Sequence, residues 1–272
     1  MKFQKIRIPA AAIKNLKMLG LCAFPEKEEK ESRNTLFLMA IWIIITDKIF
    51  ESKKNSDKTI KLFTIGINSI LSGKNKNCAE NEVLAESCGL FKEINKIAEN
   101  KKASPSIVRL WKKSVMGFLA AMNMERRHSA EKMPSLDDYL KNGMKSIGSD
   151  PTFYILLMVY LRGRPSLSLE EFGIIKKIIN KASLILRLAN DIGSYRREQQ
   201  DGKISSLIIL SKRLGSSQKA RVSLLKKIEA RRQEIKKLHQ LTANESHYFS
   251  GALCRIIDFN VGLYKIGDYY EK

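Results

Sequence analysis

The chain has 272 residues, of which 44% are hydrophobic and 28% charged, with 15 Gly and 6 Pro; these proportions fit a globular protein and exclude a disordered or collagen-like one. Lys and Arg number 49 against 28 Asp and Glu, a formal net charge of +21, which favours an anionic partner without naming it. Nucleic acid, an anionic membrane surface and a phosphorylated small molecule all satisfy that charge.

At the N-terminus, Lys2, Lys5 and Arg7 are followed by Lys14 and Lys17, which interrupt the stretch where a secretion signal would need an unbroken apolar run. The longest apolar run, Leu36 to Thr46, is far short of the roughly 20 residues of a transmembrane helix and leads straight into Asp47 and Lys48, so it reads as a buried helix. From there to the C-terminus apolar residues recur at three-and-four spacing, and two-residue alternation is nearly absent. The spacing predicts an all-α protein with helices over about 34–53, 57–72, 79–100, 105–129, 135–147, 151–162, 168–200, 204–214, 217–241 and 246–268. Breaks fall at Lys74–Asn77, Ala103–Pro105, Met133-Pro134, Gly148–Pro151, Gly163–Pro165, Gly202 and Gly215–Ser217. Ser135 with Asp138, and Ser168 with Glu171, resemble capping boxes. With short gaps and no repeat of fixed period, residues 1–272 read as a single helical bundle domain.

Cys22, Cys78, Cys88 and Cys254 are scattered without a C-x-x-C pair, which argues against zinc and disulfides and for a reducing, cytoplasmic setting. His128, His239 and His247 lack a partner at ligand spacing and read as surface or capping residues. Residues 203–240 hold eleven basic side chains against two acidic, net +9, beside apolar Val222, Leu225, Ile228, Ile235 and Leu238, the pattern of a basic amphipathic helix for a lipid or phosphate surface. No nucleic-acid motif accompanies it, so no nucleic-acid partner is expected.

The informative stretch is Arg187-Leu-Ala-Asn190-Asp191-Ile-Gly-Ser194-Tyr-Arg196-Arg197-Glu198. Asn190, Ser194 and Glu198 stand at i, i+4 and i+8, so a helix projects all three from one face. An amide oxygen, a hydroxyl and a carboxylate form a hard-oxygen set suited to Mg2+. Upstream, Asp47 and Glu51 are again i and i+4 at the end of an apolar helix.

The string Asn190-Asp191 to Ser194 to Glu198, with Arg197 before the Glu and Asp201-Gly202-Lys203 after it, resembles the N-D-x-x-S-x-x-x-E metal motif of class I terpene synthases. Asp47, Phe50 and Glu51 are similar to that family's D-D-x-x-D segment, with Lys48 in place of the second acid. Trp111 to Glu125, Pro134-Ser135, Asp137-Asp138, Tyr139-Leu140 and Gly148 resemble its kinked helix G, so the likeness covers about residues 34–210. Two departures stand out. The arginine diphosphate sensor expected one turn before the glycine is replaced by Asn142, Gly143 and Met144, and Gly267-Asp268-Tyr269-Tyr270 takes the place of a C-terminal Arg-Tyr pair.

The resemblance implies an all-α class I terpene synthase bundle that ionises an allylic prenyl diphosphate with three Mg2+ ions and cyclises the cation. Metal ligands would be Asp47, Glu51, Asn190, Ser194 and Glu198; Arg197, Arg196, Lys145 and Lys141 would hold the diphosphate; Phe37, Trp42, Phe63, Phe118, Gly148, Phe153, Tyr154 and Tyr264 would line the substrate pocket. The Arg197-Glu198 and Gly202-Lys203 pairs are similar to the labdane-type motif of ent-kaurene synthase-like enzymes, which points to a C20 substrate, geranylgeranyl or a bicyclic copalyl-type diphosphate. The alternatives are a sesquiterpene synthase, a prenyltransferase-like or non-turnover prenyl diphosphate-binding protein, and a basic nucleic-acid or membrane-surface binder. A homodimer is the assembly the family implies.

Overall fold

The computed structural model describes residues 8–52, 54–74, 81–99, 104–128, 133–164 and 166–266; within them every regular element is helical. In chain order these are α1 (Ala10–Ala23), a 3-10 turn (Lys27–Glu29), α2 (Lys30–Glu51), α3 (Asp57–Leu71), α4 (Glu82–Ala98), α5 (Pro105–Glu125), α6 (Leu136–Ser146), α7 (Ser149–Tyr160), α8 (Leu169–Gly193), α9 (Tyr195–Gln200), α10 (Ser206–Leu214), α11 (Ser217–Gln240) and α12 (Asn244–Ile266). Cys78, Pro165 and Gly267–Tyr270 lie outside the described residues. No helix among those described is long and apolar enough to cross a membrane.

Starts and stops follow the side chains. Ser168 accepts from the Glu171 backbone N–H while the Glu171 carboxylate accepts from the Ser168 N–H, a complete capping box. At α6 only half of the expected box forms: Ser135 accepts from Asp138 N, and its hydroxyl donates to the Asp138 carboxylate. Helix α10 ends on Gly215 at φ 65°, a left-handed turn that releases the chain into α11.

Two expectations need correction. The segment Ala10–Ala23 is a helix that the sequence reading left unassigned, with Ala12, Leu16 and Leu19 buried between its lysines. The long helix expected over 168–200 bends at Ser194 into α8 and α9. The Ser194 hydroxyl donates to the Asn190 carbonyl at 2.7 Å, a back-bond to the preceding turn that bends helices.

By contact the chain gathers into two compact units, Met1–Arg126 with Pro151–Arg164, and Arg127–Asp150 with Pro165–Lys272. In the first, α2 packs on α1, α4 and α5, and α3 on α4 and α5. Its core is aromatic: Trp42 lies 4.7 Å from Phe91 and 5.6 Å from Phe118, and Phe91 stacks on Trp111 at 5.9 Å. In the second, α8 is the central helix, packed by α6, α10, α11 and α12. Where α11 turns into α12, His239 and His247 stack at 4.1 Å, and the His239 Nδ1 and Ser250 Oγ are 2.6 Å apart. His247 is exposed, as the surface reading expects, while His239 is half-buried; both join a cluster of hydroxyls with Thr242 and Ser250, and burial, with the charges of His247 and Arg255, holds the His239 pKa down.

Candidate active site

In the second unit, Asn190 is the last full turn of α8, Ser194 is the bend and Glu198 lies on α9. The backbone ladder runs through the bend, with Ser194 N on Asn190 O at 2.8 Å and Glu198 N on Ser194 O at 2.9 Å, so the three predicted residues stay in line. The Ser194 hydroxyl donates to Glu198 Oε1 at 2.7 Å. Asn190 Nδ2 donates to the Tyr264 hydroxyl of α12 at 3.0 Å.

Glu198 is 7% exposed, and its Oε2 is buried without a hydrogen bond of normal geometry. Burial pushes its pKa up to about 7, the charge of Asp191 adds to the rise, and Arg187, Ser194 and Ser205 oppose it. A buried carboxylate oxygen left without a donor, next to a hydroxyl and an amide, fits a hard divalent cation, which would replace the lost water with oxygen ligation. Among the described residues no three His, Cys, Asp or Glu side chains gather into a metal-ready group, so such a set has to include the Asn and Ser oxygens.

Asp191, next to Asn190 in the chain, is fully buried. Its Oδ1 accepts from the Tyr139 hydroxyl at 3.1 Å and pairs with Arg187 Nε at 3.0 Å, while Oδ2 accepts from the Ser206 backbone N–H at 2.9 Å. Arg187 also donates to Tyr139, over whose ring its guanidinium lies 4.8 Å from the centroid. This cluster ties α6, α8 and the start of α10 together, near enough for the charges of Asp191 and Arg187 to act on Glu198. Sequence reasoning missed it, although Arg187 and Asp191 at i and i+4 on one helix are a recognisable ion-pair signal. The Arg187 side chain packs over Gly143, where a Cβ would come within 3.0 Å of its Nε.

Of the cations proposed for diphosphate, Lys141, Lys145 and Arg196 are exposed and Arg197 is half-buried. Lys145 also acts on Asp150: burial raises the Asp150 pKa, and the Ser183 hydroxyl and the Lys145 charge hold it back. Gly148 adopts φ 73°, the left-handed turn that ends α6.

In the first unit, Asp47 is half-buried and Glu51 exposed, on the last turn and a half of α2, with Lys48 exposed between them. Arg126 holds this helix end: its guanidinium donates to Phe50 O at 3.0 Å, Ser52 O at 3.4 Å and Asn55 O, and Asn55 Nδ2 donates to Ile49 O at 2.8 Å. Trp42, Phe63, Phe118 and Phe153 are fully buried, Tyr154 is buried and Phe37 half-buried. Phe91 and Trp111 join that aromatic core and were not anticipated.

An oxygen-rich row on a central helix is a donor set that suits a hard cation, and comparison with known proteins identifies the family. Residues 39–234 match the family model described as terpene synthase family 2, C-terminal metal binding, and the chain belongs to that family. It is 27% identical over 190 residues to the bifunctional cis-abienol synthase of Abies balsamea, covering 67% of this chain and 21% of that protein. To kaurene synthase like 2 of Isodon rubescens it is 26% identical over 230 residues, 78% of this chain and 29% of that one. The chain therefore spans less than a third of the length of these curated relatives. Isoprene synthase from grey poplar leaves (Populus x canescens), solved in complex with three Mg2+ ions and dimethylallyl-S-thiolodiphosphate, aligns with a TM-score of 0.76 at 20% identity, over 97% of this chain and 50% of that one. That likeness shows the all-α class I terpene synthase fold.

Proposed function

We propose that the protein is a class I terpene synthase that ionises an allylic prenyl diphosphate and cyclises the resulting cation, acting as one catalytic domain. The observation that carries this reading is the Glu198 carboxylate, buried and with a free oxygen, in line with the Ser194 hydroxyl and the Asn190 amide. Asn190, Ser194 and Glu198 would hold Mg2+, and Asp47 and Glu51 the further ions expected of a three-metal set. When bound, Mg2+ would neutralise the diphosphate oxygens and so improve the leaving group.

The chain's own contribution is to bind, orient and exclude water. Arg197 and Arg196, with Lys141 and Lys145, would hold the released diphosphate, which takes the electron pair of the broken C–O bond. The lysines would act as mobile point charges where the family's helix G arginine is missing. Aromatic side chains such as Trp42, Phe63, Phe118, Phe153 and Tyr154 would exclude water, and ring faces stabilise a passing cation by about 0.5–2 kcal/mol each. Loss of a proton or capture of water ends the sequence.

A C20 substrate is favoured by the motif's labdane-type form and by the curated relative named kaurene synthase like 2. The test is incubation with Mg2+ and, separately, farnesyl, geranylgeranyl and copalyl-type diphosphates, followed by gas chromatography and mass spectrometry. The expected outcome is a new hydrocarbon or alcohol from a C20 diphosphate that disappears with EDTA and in N190A and E198A. Tight diphosphate binding without product from any of the three would overturn the cyclase in favour of a non-turnover binder, and product from farnesyl diphosphate alone would overturn the C20 assignment.

A further inference from the structure

We infer that the cationic outer face of α10 and α11 is a docking surface for an anionic lipid membrane. The excess charge of the second unit is confined to this segment: residues 203–240 hold eleven basic and two acidic side chains, whereas residues 127–150 hold four of each, and residues 165–202 together with 241–272 hold nine of each. A general basicity of the chain would spread the excess over the whole unit. Both acids within the segment are held by neighbours: Glu229 accepts from Arg232 Nη1 at 3.1 Å and from Gln233 Nε2 at 2.7 Å, and Glu234 accepts from Arg231 and from Lys181 of α8.

On α11, Ala220, Leu224, Ile228 and Ile235 are buried and the helix packs on α8 and α10, so most of the apolar stripe that its sequence offers to a lipid surface serves the core instead. The opposite face is the one left to solvent: Lys219, Val222, Lys226, Gln233 and Lys237 follow one another at helical spacing and are exposed, as are Lys212, Arg213 and Leu214 at the end of α10. Leu214 is 41% exposed, Val222 42% and Leu241, just after α11, 68%; these are three of the four large apolar side chains that the described residues of this unit expose. Cations with apolar side chains among them suit a headgroup layer, where the charges meet anionic lipid and the side chains enter the acyl boundary. A phosphate backbone makes no use of the apolar groups, and residues 203–240 contain no Phe, Trp or Tyr to stack on a base.

The surface is argued from charge and exposure and stands apart from the reaction proposed above. Its test is sedimentation of the full chain with phosphatidylcholine vesicles, with and without phosphatidylserine, at low and high salt. The wild-type chain should bind the vesicles that contain phosphatidylserine and release them as salt rises. K212Q/K219Q/K226Q/K237Q should weaken that binding at least tenfold, since each cation close to an anionic leaflet contributes about fivefold. Arg at the same four positions should keep it, which separates charge from folding. V222S should weaken it about threefold without changing the salt dependence. The control K14Q/K17Q/K58Q/K61Q removes the same charge from exposed sites on α1 and α3 and should lose far less. A control loss equal to that of the first set would overturn the inference in favour of net charge alone. Wild-type binding by K212Q/K219Q/K226Q/K237Q, absence of the wild-type chain from phosphatidylserine vesicles, or tighter salt-dependent binding to a DNA duplex than to those vesicles would each overturn it as well.

Discussion

The Ser194 hydroxyl oxygen lies 2.7 Å from both the Asn190 carbonyl oxygen and Glu198 Oε1, across the bend between α8 and α9, so its single proton is shared between the two acceptors. One side chain therefore bends the helix and holds the carboxylate that follows it. Replacing it by Ala removes a candidate ligand and one of the hydroxyls that lower the Glu198 pKa. S194A should bind Mn2+ with diphosphate at least tenfold more weakly than wild type, whereas S194T, which keeps the hydroxyl, should recover most of the affinity; equal binding by S194A would count against the ligand row.

The Arg187, Asp191 and Tyr139 cluster is buried, so its charges have no water to fall back on. Removing one partner of such a pair costs about 3–5 kcal/mol, because the other is left uncompensated. D191A should therefore lose stability on that scale in urea denaturation, and Y139F, which removes a hydroxyl bonded to both Arg187 and Asp191 but leaves the two charges paired, about 2 kcal/mol. A D191A loss no larger than that of Y139F would show the ion pair to be worth little.

Arg126 gathers one carbonyl from the last turn of α2, that of Phe50, and two beyond its end, where a helix leaves its last C=O groups without partners. R126A should cost about 2 kcal/mol, the scale of hydrogen bonds to a charged donor. Hydrogen exchange should rise first in residues 49–57, and a uniform rise across the chain would contradict a local clamp.

Asp150 carries a pKa raised by burial above its model-compound value of 3.8. The folded state therefore holds this proton more tightly than the unfolded one. Its contribution to stability is greatest below pH 3.8 and is lost as pH rises through the folded pKa, beyond which the penalty is constant. Thermal denaturation of D150N against wild type should show the variant gaining relative stability from acid towards neutral pH. A difference that does not change with pH would remove the titration argument.

The helical class and most of the boundaries were legible because three-and-four spacing and Ser caps act locally, as at Ser56, Ser168 and Ser216. Helix α1 is hard to see in the sequence because its buried stripe is thin, made largely of Ala and Gly with Leu16 and Leu19. The bend at Ser194 escaped because an i, i+4, i+8 row looks like one straight helix, and only the rotamer of the serine decides otherwise. In the site, residue types at helical spacing identified Asn190, Ser194 and Glu198. Tyr264 lies 74 positions from Asn190 in the chain, and nothing local marks so distant a contact. Phe91 and Trp111 were hidden for the opposite reason: apolar side chains at helical spacing are ordinary core until packing shows which rings meet.

The packing of Arg187 over Gly143 has a bearing on redesign. The arginine that the resemblance leads one to expect one turn before the glycine is absent from α6, where an arginine of α8 packs against Gly143. Grafting the missing arginine back at position 143 would force Arg187 out of its pairing with Asp191, trading one cation for another at the expense of the scaffold. Position 144, a half-exposed methionine, is free of that conflict. The two arginines are in effect alternative tenants of the ground at 143, and a change at either position should be designed together with the other.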